Sequence, residues 1–166
     1  MAGPLGAWGV RPGALQHPVR ELAGDPLGGL ETSDYQVMTA FIDTNVLVRH
    51  LTGEPDGLAR RARALLESGE TLILTDIVCA ELVYVLESVY GVRRERLARL
   101  VRAVIGFESI VCADEPVLLR CIELYEATSL HFADSYLVAG AEITGARKVA
   151  SFDMAIDKIP SVERIG

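Results

Sequence analysis

Four acidic residues, Asp43, Glu81, Asp134 and Asp153, stand beside or inside apolar sequence. Asp43 closes the run Thr39-Ala40-Phe41-Ile42, and Asp153 follows Lys148-Val149-Ala150-Ser151-Phe152. Glu81 has Ile77, Val78 and Val85 at helical spacing, and Asp134 has Leu130, Leu137 and Val138. Such settings predict carboxylates drawn out of water, which costs several kcal/mol for each one left unpaired. If the four converge, each pair about 5 Å apart repels by about 3 kcal/mol at an effective dielectric near 20. Several such pairs rival the ~5–15 kcal/mol stability of a whole domain. Protons or a hard divalent cation must relieve this. An all-oxygen donor set suits Mg²⁺ or Mn²⁺, ions that assist hydrolysis of phosphate esters.

Each acid also has a plainer reading. Asp43 and Asp153 could cap the helices that follow them, Asp134 could answer a helix dipole, and Glu81 could be a hydrogen-bonded core residue. Asn45 and Ser151 are polar companions two residues from an acid. No histidine, cysteine, Ser-His-Asp or phosphate-loop constellation competes: His17, His50 and His131 lie outside any zinc spacing, and Cys79, Cys112 and Cys121 form no CxxC pair. The cysteines read as packed, reduced thiols of a cytoplasmic protein.

The elements that must position these acids alternate between short apolar runs and helical patterns, which predicts an α/β fold with a mostly parallel sheet. Strands are expected at about 39–43, 71–74, 108–112 and 148–151, with a weaker one near 161–165. Helices are expected at about 45–51, 55–68, 76–90, 93–105, 115–128, 132–144 and 153–158. In the second, Leu58, Ala62, Leu65 and Leu66 share a side. Thr75 and Asp114 are natural N-caps, and Gly91 and Gly145 natural stops. Strand ends and helix starts then share one sheet edge, where α/β folds bind ligands.

Residues 1–37 differ: 11 of the 37 are Gly or Pro. They are expected to be a disordered extension ahead of a single domain at 38–166, with Met38 as the natural start. No apolar stretch reaches the ~18 residues that span a bilayer, so no membrane partner is expected. The net charge of −7 comes from 16 basic and 23 acidic residues, yet Arg93, Arg94, Arg96, Arg99 and Arg102 cluster. An acidic average therefore leaves room for a local phosphate-binding surface. On a helix, Arg96, Arg99 and Arg102 form a ridge away from Leu97, Leu100, Val101 and Val104; Arg49 is nearer the acids.

Four segments together carry a resemblance: Phe41 to Arg49 (FIDTNVLVR), Asp76 to Leu86 (DIVCAELVYVL), His131 to Ala139 (HFADSYLVA) and Ala150 to Ile156 (ASFDMAI), with the acids 38, 53 and 19 residues apart. In order and spacing they resemble the PIN-domain ribonucleases, specifically the VapC-type toxins. The resemblance implies a PIN-like three-layer α/β/α sandwich and a Mg²⁺- or Mn²⁺-dependent endoribonuclease. It implies that Asp43, Glu81, Asp134 and Asp153 are the metal-binding and catalytic acids, with Asn45 and Ser151 in support. It also implies an RNA substrate, a cognate antitoxin and a homodimer, for which Leu47, Val48, Leu51 and Leu82 to Leu86 offer apolar contacts. Tyr136 and Met154 depart from the family, which favours smaller and polar residues at those places. Two other readings share these features: a non-catalytic PIN-like binding module, and a metal-dependent nuclease or phosphatase with another substrate. A phosphoaspartate phosphatase is disfavoured, because Asn45 stands where a DxD opening has its second aspartate.

Overall fold

The computed structural model describes residues 39–166. The expectations for segment 1–37 and for Met38 fall outside the described residues. The chain runs β1 (Thr39–Phe41), α1 (Thr44–Thr52), α2 (Asp56–Leu66), β2 (Thr71–Leu74), α3 (Asp76–Ser88), α4 (Arg94–Ile105), β3 (Ile110–Cys112), α5 (Glu115–Ala127), α6 (Phe132–Ile143) and β4 (Lys148–Ala150). A short 3₁₀ turn, Met154–Lys158, and β5 (Glu163–Ile165) complete it. The strands pair in parallel throughout, as the alternation of strand and helix requires. They form two ladders, β1-β2-β3 and β4-β5, where one central sheet was expected.

Local chemistry sets the junctions. Thr75 Oγ1 accepts from the Val78 amide, and Asp114 Oδ1 from Val117 N–H at 3.2 Å, so both expected caps are in place. Gly53 ends α1 at φ 76°, where a side chain would be strained. Because β1, β2 and β3 run parallel with Phe41, Ile73 and Val111 level, the segments that follow them, with Asp43, Asp76 and Asp114, emerge on one edge. The core packs Leu72 and Leu74 of β2 against Leu47, Leu82, Leu97, Leu118 and Ile122, all fully buried. Along α4, Leu97, Val101 and Val104 are buried and Leu100 half-buried, close to the expected stripe. In α2, Ala62 and Leu66 are buried, but Leu58 is exposed, because the cleft between α1 and α2 stays open beside it.

Two arginines hold the helices together. Arg120 of α5 donates to Glu142 of α6 through Nε (2.5 Å) and Nη2 (3.1 Å), and Ser161 donates to the same carboxylate. This guanidinium holds the Glu142 carboxyl below its ordinary value of 4.5. A depressed folded-state value means stability that is complete above that ordinary value and is lost as pH falls through the depressed one. Thermal unfolding followed against pH should therefore show an acid limb whose slope falls by up to one proton in E142Q; an unchanged limb would contradict the pairing. Arg94, at the start of α4, sends Nη1 to three backbone carbonyls, of Tyr125 (2.5 Å), Thr128 (3.2 Å) and Leu130 (2.7 Å), and stacks 4.0 Å over the Tyr125 ring.

All three cysteines are free and buried, as expected. Burial, before any charge, pushes the Cys112 and Cys121 thiols up to about 12 and the Cys79 thiol higher still, so none is a ready nucleophile. Among the described residues no helix is long and apolar enough to cross a membrane.

Candidate active site

The four acids are less buried than their sequence settings predict. Asp43 and Glu81 are exposed, and Asp134 and Asp153 half-buried. Glu81 shows why. Helix α3 is apolar around most of its circumference, so apolar neighbours at i−4 and i+4 do not distinguish its core side. The buried stripe is Cys79, Leu82, Val83 and Leu86, whereas Ile77 is 81% exposed and Val78 and Val85 are half-buried. Water therefore solvates much of these carboxylates, and the energetic demand for a counter-charge is smaller than burial would make it.

Asp43 follows β1 and caps α1, its Oδ1 accepting from the Asn45 amide at 2.7 Å. The next residue, Thr44, is buried and donates its hydroxyl to Glu81 Oε2 at 2.5 Å. A buried hydroxyl needs a partner, and here that need fixes the Glu81 side chain beside the start of α1. Glu81, 38 residues after Asp43, is thus tied to Thr44, the residue next to Asp43.

Asp134 sits in the first turn of α6, at the border of a buried face made by Ser135, Val138, Ala139 and Ala141. Asp153 caps the 3₁₀ turn, accepting from Ala155 N–H at 2.9 Å, while its own amide donates to Ser151 Oγ at 3.0 Å. Ser151 is thus a shaper of the Asp153 turn. Helix α6 touches β4, which leads into that turn. Arg164 of β5 secures the turn, donating to Ser151 O (3.0 Å), Gly166 O (2.9 Å) and both Asp157 oxygens (2.8 and 3.0 Å).

A link between the two pairs was not read from the sequence. The Tyr136 hydroxyl of α6 donates to Asp76 Oδ2, on the first residue of α3, at 2.5 Å. That bond, before burial, raises the Tyr136 phenol to about 12. The other oxygen, Asp76 Oδ1, is buried without a partner among the described residues. A tyrosine and an aspartate 60 residues apart leave no local signal, although Tyr136 already stood out as too large for its place.

Among the described residues, no three His, Cys, Asp or Glu side chains converge closely enough to hold a metal as they stand. The donor set still fits a hard cation, since Mg²⁺ commonly binds through one or two carboxylates and keeps several waters. Asp43 and Glu81 are accessible carboxylates, and the Thr44 bond holds Glu81 beside the residue that follows Asp43.

The expected arginine ridge divides. Arg96 and Arg99 are exposed, but Arg102 is half-buried and paired with Glu126 at 2.7 Å. Arg49 donates to Glu54 O at 3.1 Å and lines a cleft of about 660 Å³ between α1 and α2, with Asn45 and Arg61. Of the apolar residues expected at a partner surface, Leu47, Val48, Leu51, Leu82, Val83 and Leu86 are buried in the core. Within the same stretch Tyr84 is exposed and Val85 half-buried, and the other large exposed apolar side chains of α3 and α6 are Ile77, Val89 of the cap, Leu137 and Ile143.

The fold is an α/β domain with parallel strands and the acids set at strand ends and helix starts. The PIN domain family model matches residues 40–162, which contain all four acids, and the chain belongs to the PIN-domain family. A VapC ribonuclease of Aquifex aeolicus (strain VF5) is 29% identical over 122 residues, covering 72% of this chain and 90% of that protein. A solved structure of VapBC2 from Rickettsia felis, bound to a DNA fragment from its promoter, is 18% identical. It covers 77% of this chain and 98% of that chain, with a TM-score of 0.32.

Proposed function

We propose that this chain is a divalent-metal-dependent endoribonuclease, the toxin of a toxin–antitoxin pair, acting in the cytoplasm. The observation that carries the reading is the PIN match over 40–162. It encloses Asp43, Glu81, Asp134 and Asp153 in a domain similar to a VapC ribonuclease over 90% of that protein's length. Asp43 and Glu81 would hold Mg²⁺ or Mn²⁺ with Asp134, directly or through water. When bound, the ion would lower the pKa of a coordinated water and offset charge on the leaving oxygen.

The protein groups have their own tasks. Thr44 keeps Glu81 in one orientation, so its carboxylate is presented without reorganisation. Asn45, whose amide meets Asp43, orients that carboxylate. Asp153, held in a turn by Ser151 and Arg164, would orient the attacking water. Arg49 is the best placed phosphate contact, in the cleft beside Asn45, with Arg96 and Arg99 available for a longer RNA. Arg102 is the weaker candidate, since binding RNA would cost its bond to Glu126. An antitoxin and a second copy of the chain would use exposed apolar positions such as Ile77, Tyr84 and Leu137.

Single-stranded RNA incubated with Mn²⁺ should be cut internally, and EDTA should stop the reaction; cutting that persists in EDTA would overturn the metal reading. A non-catalytic PIN-like module is the second reading, favoured by the absence of a closed three-acid cluster among the described residues. It predicts RNA binding without any cleavage. A DNA or phosphomonoester substrate offered in the same assay separates a nuclease or phosphatase of other specificity.

A further inference from the structure

Helices α3 and α6 carry Glu81 and Asp134, and their packing is uneven. Toward one end they border an open pocket of about 220 Å³, lined by Val83, Tyr84 and Glu87 of α3 and by His131, Phe132 and Ala133 around the start of α6. Along this pocket the two helices lack direct side-chain contact, so their spacing there draws on fewer dispersion contacts. Beyond the pocket, Tyr136 donates to Asp76 at 2.5 Å. This bond is a long-range side-chain tie between the two helices, made at the first residue of α3, where its dipole also favours the carboxylate. Asp76 lies five residues before Glu81, and Tyr136 two residues after Asp134.

We propose that Tyr136 and Asp76 are positioning residues, whose hydrogen bond sets the spacing between the helix that presents Glu81 and the helix that presents Asp134. The proposal rests on the reading of these acids as cation ligands. Tyr136 and Asp76 need touch neither cation nor substrate. Their bond ties α6 to α3 beyond the end of the pocket that the two helices border. Among the described residues Asp76 Oδ1 is buried and has no partner, so the phenol is the side-chain donor that holds this carboxylate.

The test is calorimetric binding of Mn²⁺ to the full chain and its variants, with thermal unfolding measured in parallel. Y136F and D76A should each weaken Mn²⁺ affinity by about tenfold, the lower range for groups that orient metal ligands. D76N, which keeps a carbonyl oxygen to accept the phenol, should bind within a factor of about three of the wild type. The Y136F/D76A double variant should bind no worse than either single one, because one interaction is removed only once. Y136F affinity equal to wild type, or additive losses in the double variant, would overturn the proposal while leaving the metal site intact. Wild-type protein that binds no Mn²⁺ overturns the ligand reading itself, and the positioning role with it. Should Y136F fail to fold, D76A against D76N decides.

Discussion

Replacement of Asp43 by Asn should lower the rate of RNA cleavage by about 100- to 1000-fold while leaving the fold intact. On the proposed metal-site reading, the size follows from losing one ligand charge, on the order of 3–4 kcal/mol of transition-state stabilisation. The clean separation of activity from stability follows from the local structure. Asp43 caps α1 by accepting the Asn45 amide, and Asn is as good an N-cap as Asp. The unfolding midpoint should therefore move by no more than a few degrees. E81Q gives an independent arm, since a glutamine oxygen still accepts the Thr44 hydroxyl. Both variants should lose cleavage with their circular dichroism unchanged. Wild-type rates in D43N would mean that the chemistry lies elsewhere in the domain.

The largest effect on stability is expected at Arg94. Its guanidinium satisfies carbonyls of Tyr125, Thr128 and Leu130, the segment leading from α5 into α6, and covers the buried Tyr125 ring. Tyr125 is secured at its other end by donating to Glu87 at 3.1 Å. Truncation at Arg94 leaves three carbonyls short of a charged donor and removes the stacked cation. R94A should cost about 3–5 kcal/mol, from charge-assisted hydrogen bonds and a partly desolvated cation–π contact. In urea denaturation the midpoint should fall with little change in slope. R94K should recover only part, because an ammonium cannot reproduce the planar stacking. The neighbouring R93A, at an exposed position, is the control and should change stability by less than about 0.5 kcal/mol. Equal effects of R94A and R93A would reject the clamp.

Much of the framework was legible because it is local. The alternation of apolar runs and helical periods placed every strand and helix, and Thr75, Asp114 and Gly145 marked their ends. Burial around α3 was not legible. Ile77, Val78 and Val85 make Glu81 look enclosed, yet an apolar residue on a surface helix is common, and the periodicity of a nearly all-apolar helix has no preferred phase. The division of the arginines was equally hidden. Arg94, Arg96, Arg99 and Arg102 lie within nine positions, and only the fold brings Glu126 to Arg102 and the Tyr125–Leu130 carbonyls to Arg94. Asp76 escaped notice for the same reason, since its partner Tyr136 lies on another helix. Local chemistry announces itself in sequence. Long-range pairing does so only when a residue such as Tyr136 is conspicuous for its size.

The central claim, that Asp43 and its companion acids make this PIN domain a metal-dependent endoribonuclease, is tested most directly by mapping RNA 5′ ends. Total RNA would be incubated with the purified chain and Mn²⁺, alongside samples containing EDTA or the D43N protein. Discrete new 5′ ends are predicted with the wild-type protein and Mn²⁺ alone. The same ends in the EDTA or D43N samples, or none in any sample, would contradict the account.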